Sequence, residues 1–100
     1  MPIFIVLSKL TDAGFETLKS KPERVKEVNK KLERMSVKML EQYTVFGEYD
    51  FVNIVEAKDN LTIMKAMAEM ISRGTVRTIT LSAIKVDDLI KELKNSFHSI

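Results

Sequence analysis

The stretch Val37–Ala57 constrains the fold of this chain more than any other. Val37–Phe46 and Tyr49–Ala57 are both rich in branched and aromatic residues, the mark of strands, and only Gly47 and Glu48 stand between them. A two-residue connection joins antiparallel neighbours and nothing else. Glycine at its first position suits a type II′ turn, where the positive φ strains other residues. The register this turn dictates pairs Phe46 with Tyr49, Thr44 with Phe51, Gln42 with Asn53 and Leu40 with Val55 on one face. The other face carries Met39, Glu41, Tyr43 and Val45 beside Asp50, Val52, Ile54 and Glu56. An isolated hairpin is marginal in water, so the rest of the chain has to cover it.

The flanking segments supply the cover. Pro2–Lys9 is apolar on both faces and reads as a buried strand. Thr11–Gly14 is turn-like, with Phe15 and Leu18 packing a short irregular turn onto the core. Ser20-Lys21-Pro22-Glu23 is a capping-box pattern with proline in the first turn, followed by Val25, Val28, Leu32 and Met35 at helical spacing. Asp59 or Asn60 caps a second helix that Gly74 ends after Arg73. On it Leu61, Met64, Ala68 and Ile71 form one apolar stripe, and Ile63, Met67 and Met70 a neighbouring one. Val76–Ile84 alternates cleanly, with Ile79, Leu81 and Ala83 one way and Thr78, Thr80 and Ser82 the other. Asp87 and Asp88 open a last helix carrying Leu89, Ile90, Leu93 and Phe97.

The order βαββαβ plus a terminal helix predicts an α+β, ferredoxin-like sandwich, with helices on one face of a four-stranded antiparallel sheet and a single domain over residues 1–100. Hydropathy assigns Val52, Ile54, Ile79 and Leu81 to the helix side. The open side then shows Gln42, Thr44, Phe46, Tyr49, Phe51, Asn53, Val55, Thr78, Thr80 and Ser82. Such a face has too many aromatics to stay wet and too many polar groups for a dry core. Sheet-to-sheet homodimerisation, or a higher homo-oligomer, covers it and leaves a small polar cavity at the seam.

Composition removes much chemistry. With 45% hydrophobic and 30% charged residues, the 100-residue chain has the make-up of an ordinary globule. The absence of cysteine excludes disulfides and thiolate metal sites, and a single histidine excludes two-histidine metal motifs. No cofactor or metal site is predicted. A net charge of +2 is too mild to imply a polyanion partner. Lysines and arginines do crowd residues 19–38, but Glu23, Glu27 and Glu33 break the stripe, as on a solvated helix face. No secretory leader or membrane span is read, and the expectation is a cytoplasmic protein. Many Lys and Glu residues beside one Gln match the composition of thermophile proteins.

Four segments in order resemble the GYD domain family: Met1–Asp12 (MPIFIVLSKLTD), Ser20–Arg24 (SKPER), Phe46–Asp50 (FGEYD) and Val76–Ala83 (VRTITLSA). Gly47, Tyr49 and Asp50 supply the naming motif. The resemblance runs nearly end to end and implies a protein of the dimeric α/β-barrel type, in which ferredoxin-like sheets pair face to face. It implies no particular reaction. The hairpin is also similar to the ligand-binding domain of leucine-responsive regulators, which bind small effectors between protomers. No helix-turn-helix accompanies it here.

Candidate ligand or interface residues are Gln42, Tyr49, Phe51, Asn53, Arg77, Thr78 and Thr80. The expected ligand is a small polar or carboxylate-bearing molecule at the protomer interface. Gly47, Tyr49 and Asp50 are structural in this reading, with Asp50 and Arg77 near strand ends on the helix side. An alternative is a small cofactor-free enzyme of tautomerase, isomerase or oxygenase type, with Pro2 or Glu41 as proton acceptor. An RNA-binding sheet is disfavoured, because the spacing around Gly47–Val52 departs from the RNA-recognition signature and two acids intrude.

Overall fold

The computed structural model describes residues 1–98, with side-chain surroundings as far as Asn95. Its elements run β1 (Ile3–Leu10), α1 (Asp12–Ser20), α2 (Arg24–Arg34), β2 (Lys38–Thr44), β3 (Phe51–Glu56), α3 (Asn60–Ser72), β4 (Val76–Ala83) and α4 (Val86–His98). The four strands form one antiparallel sheet in the order β2-β3-β1-β4. This is the expected ferredoxin-like α+β arrangement.

The core lies between one face of the sheet and helices α2 and α3. Phe4, Val6 and Val55 from the strands meet Leu32 of α2 and Ile63, Ala66, Met67 and Met70 of α3, with Val37 and Ala57 at the strand ends. Each large apolar side chain taken from water there contributes about 1.5–3 kcal/mol. Only the second of the two apolar stripes on α3 is core. Leu61 and Met64 of the first are each 68% exposed.

Residues 12–20 are a regular helix, where the sequence suggested an irregular turn. Thr11 caps it, its Oγ1 accepting from the Gly14 N–H at 3.2 Å. Gly14 suits a helix here for its lack of a side chain: a Cβ would overlap the Thr75 carbonyl oxygen. Ser20 therefore closes α1, donating to the Glu16 and Thr17 carbonyls, and does not cap α2. Glu23 precedes α2 without a side-chain cap. At the far end of α2, Val37 N–H donates to Leu32 O at 2.9 Å and Ser36 N–H to Glu33 O at 3.0 Å, with Ser36 at φ +65°. This is a Schellman closure made with serine where glycine is usual.

The hairpin keeps the expected register at Thr44–Phe51 and Gln42–Asn53 but departs at both ends. A bulge at Leu40 lets Met39, not Leu40, face Val55. At the tip, Val45 N–H donates to Asp50 O, and Phe46–Tyr49 form a wider loop in place of a two-residue turn. Gly47 retains its positive φ, +119°.

The two faces of the sheet are the reverse of those the hydropathy suggested. Phe4, Val6 and Ser8 are buried on the helix side, and their ladder partners Val55, Asn53, Phe51, Ser82, Thr80 and Thr78 share that side. Val52, Ile54, Ile79 and Leu81 lie on the open face with Ile3, Ile5 and Leu7. Of the polar residues on the helix side, Ser8, Gln42, Asn53 and Thr78 line a cavity, and Ser8, Gln42 and Asn53 are joined there by hydrogen bonds. The apolar set faces outward, and no helix among the described residues packs on it.

Candidate functional site

Asn53 organises the interior polar cluster. Its Nδ2 donates to Val6 O at 3.1 Å and to Ser8 Oγ at 3.0 Å, and its Oδ1 accepts from Gln42 Nε2 at 2.9 Å. Gln42 Oε1 in turn accepts from Asn29 Nδ2 at 2.9 Å. The Val6 carbonyl sets the orientation of the Asn53 amide, since only an N–H can face it. Three strands and α2 are thus tied by amides. Ser8 and Asn53 are each only 6% exposed, and every buried side-chain nitrogen and oxygen among the described residues finds a partner.

This cluster forms part of the wall of a cavity of about 360 Å³ between the sheet and helices α1, α2 and α3. Val28 and Leu32 of α2, Met67 and Met70 of α3, and Val6 and Val55 of the sheet give it an apolar body. Arg24 and Arg73 line it from exposed positions, which places them at its mouth. Each meets one carboxylate through one nitrogen: Arg24 Nε lies 3.5 Å from Glu27 and an Arg73 terminal nitrogen 3.6 Å from Glu69. Glu69 also receives Lys31 at 3.3 Å, which links α2 to α3 beside the opening. No aspartate or glutamate lines the cavity.

Of the residues singled out from sequence, Gln42, Phe51, Asn53 and Thr78 come together in this cavity. Thr80 shares their face but is exposed and outside the lining. Tyr49 stays in the loop, half-buried. Arg77 lies on the open face beside Lys9, not on the helix side. Asp50 has a structural role: its Oδ2 accepts from Leu10 N–H at 2.8 Å and its own N–H donates to Ser8 O at 2.9 Å, which moors the loop to β1. Sequence reasoning missed Ser8, Asn29, Arg24 and Arg73. A serine late in an otherwise apolar strand, and an amide between Val28 and Leu32, were the available signals.

Neither proposed proton acceptor lines the cavity. Pro2 is exposed, its carbonyl accepting from Ala57 N–H. Glu41 is exposed on the open face, where its Oε2 accepts from the Tyr43 hydroxyl at 2.8 Å. That hydrogen bond, and the carboxylate charge behind it, hold the Tyr43 phenol above its ordinary value.

The open face carries Leu7, Val52 and Ile79 in one row and Ile5, Ile54 and Leu81 in the next. At the β4 edge Ile79 is 47% and Leu81 45% exposed. Lys9 and Arg77 sit side by side at one end of this face with no ion-pair partner among the described residues, while Glu41 lies on the opposite edge strand, β2. Helix α4 is exposed along its described length, including Val86, Leu89, Ile90 and Leu93. The side-chain surroundings of Phe97 and His98 lie outside the described residues. The radius of gyration is 16.1 Å, against about 13 Å for a compact 100-residue domain. No described helix is long and apolar enough to cross a membrane.

Comparison with known proteins places this arrangement among relatives. A Thermus thermophilus protein named "Glutamine synthetase and cystathionine beta-lyase binding protein" is 59% identical over 95 residues, covering 94% of this chain and all of that one. The crystal structure of the Thermus thermophilus protein TTHA0845 is similar with a TM-score of 0.56 and 25% identity, over 85% of this chain and 95% of that one. The GYD domain matches residues 4–93, and the chain belongs to the GYD domain family.

Proposed function

We propose that this protein is a non-catalytic binding module that pairs with a second copy through its open sheet face and docks partner proteins on its helical side. The observation that carries the reading is the pair of apolar rows on the open sheet face, Leu7-Val52-Ile79 and Ile5-Ile54-Leu81, half-buried at the centre and exposed at Ile79 and Leu81. A sheet face of this kind in water is a surface awaiting a partner. A second copy fits it by charge as well as by hydropathy. Lys9 and Arg77 repel one another, and the exposed carboxylate of Glu41 on the β2 edge of a second copy is a partner of the opposite charge.

The choice of protein partners rests on the relative that is 59% identical and whose name records binding to two enzymes. By that likeness, glutamine synthetase and cystathionine β-lyase are the partners to try. The outer stripe of α3, with Leu61, Met64 and Ile71, is the docking surface this reading favours, because it stays exposed when the sheet face is paired. Methionine adapts readily to a partner's contours.

The test titrates the full chain against each purified enzyme from the same organism by calorimetry. Saturable binding to either enzyme, lost in a Met64→Glu/Leu61→Glu variant that keeps the wild-type mass in solution, supports the reading. Absence of binding to both enzymes, or binding indifferent to the two charges, counts against it.

A further inference from the structure

We propose that the cavity between the sheet and helices α1–α3 is a binding site for a small amphipathic monocarboxylate. The site is separate from the open face, since it lies on the other side of the sheet. Three observations point to this ligand class. The first is size and lining: about 360 Å³ sits at the small end of the range for ligand sites, about 300–1,000 Å³, and its body is valine, leucine and methionine. Water is poorly held by such walls, because each molecule needs two to four polar partners. A molecule of about ten non-hydrogen atoms fills the space better, at roughly 30 Å³ for each water displaced.

The second observation concerns Ser8. Its Oγ accepts from Asn53 Nδ2, but its own hydroxyl proton has no acceptor among the described residues, although the side chain is 94% removed from solvent. The Asn53 amide cannot turn to accept it, since Nδ2 is held by the Val6 carbonyl. A buried donor on the wall of a cavity is free for an acceptor brought by a ligand.

The third is charge. Arg24 and Arg73 stand at the mouth, each engaged through a single long contact that leaves most of its N–H fork unused, and no acidic side chain joins the lining. The polar capacity the fold leaves open is therefore that of donors and positive charge. An apolar body with one carboxylate brings acceptors and a negative charge, and guanidinium groups bind carboxylates through paired hydrogen bonds.

The test uses the isolated full chain, so its outcome does not depend on protein partners. Amide spectra are recorded by NMR during titration with hexanoate, and separately with hexanol and hexylamine. The result expected is saturable movement of the Ser8, Gln42 and Asn53 signals with hexanoate. Binding should be about tenfold weaker with hexanol, or in an Arg24→Gln/Arg73→Gln variant, as loss of a charge-assisted hydrogen bond predicts. A Val28→Phe variant, which fills the cavity, should lose the response while keeping its fold. No saturable movement of those three signals overturns the proposal. So does equal binding of hexylamine, or a response unchanged by Val28→Phe.

Discussion

Asn53 Nδ2 reaches Ser8 Oγ at 3.0 Å across the β3–β1 ladder, so that a buried amide is held between Ser8 and Gln42 beside the core residues Phe4, Val6 and Val55. Removing the amide leaves Gln42 short of an acceptor and the Val6 carbonyl short of a side-chain donor. Asn53→Ala should therefore cost about 2 kcal/mol, within the range for stranding buried polar groups. A urea-denaturation midpoint with an unchanged m-value measures it, and a loss below about 0.5 kcal/mol, the range of an ordinary surface change, would show that the cluster carries no such weight.

Gly14 packs against the Thr75 carbonyl, where α1 crosses the strand entering the edge of the sheet. Alanine is the better helix former by about 1 kcal/mol, so propensity alone predicts that Gly14→Ala stabilises. The steric overlap predicts the opposite, a loss of about 1–3 kcal/mol from forced backbone displacement. Thermal or urea unfolding decides the sign.

Ser36 occupies the left-handed region at the C-terminal closure of α2. A left-handed conformation costs a non-glycine residue about 1–2 kcal/mol, and Ser36→Gly should recover part of that, about 1 kcal/mol. The hydroxyl makes no hydrogen bond among the described residues, so nothing is lost with it. An increased urea midpoint is the expected result.

Asp59 caps α3, its Oδ1 accepting from both the Thr62 hydroxyl and the Thr62 N–H. The hydroxyl contact first, and then the backbone one, hold its carboxyl below the ordinary range. A carboxyl lowered on folding stabilises the fold above its unfolded value and loses that contribution as pH falls through its folded one. In Asp59→Asn the cap persists without the charge. The melting temperature of wild type minus that of the variant should therefore shrink as pH is lowered through the carboxylate range. A constant difference across that range would contradict the assignment.

Much of the architecture was legible because it depends on local chemistry. A cap at Asp59 or Asn60, the Gly74 stop and the pairing of Gln42 with Asn53 follow from residue type and spacing, and each is found, with Asp59 as the cap. What was misread has a common cause. Hydropathy places the most apolar face inward, yet Ile79 and Leu81 face outward here, while Ser8, Gln42, Asn53 and Thr78 face the helices. Both faces of this sheet carry apolar side chains enough to be core, and alternation alone cannot orient them. Gly14 was misread for a related reason. A glycine demanded by close approach of a distant carbonyl looks, in sequence, like a glycine demanded by a turn.

The outward Ile79 and Leu81 side chains also give the most direct measurement of the central claim, that the open sheet face joins two copies. Light scattering on a sizing column at micromolar concentration reads the mass in solution. Wild type should run at twice the 11.5 kDa chain mass, and Ile79→Glu/Leu81→Glu at the chain mass with its helix and strand content retained. A wild-type chain that runs at 11.5 kDa, or a double variant that remains paired, would contradict it.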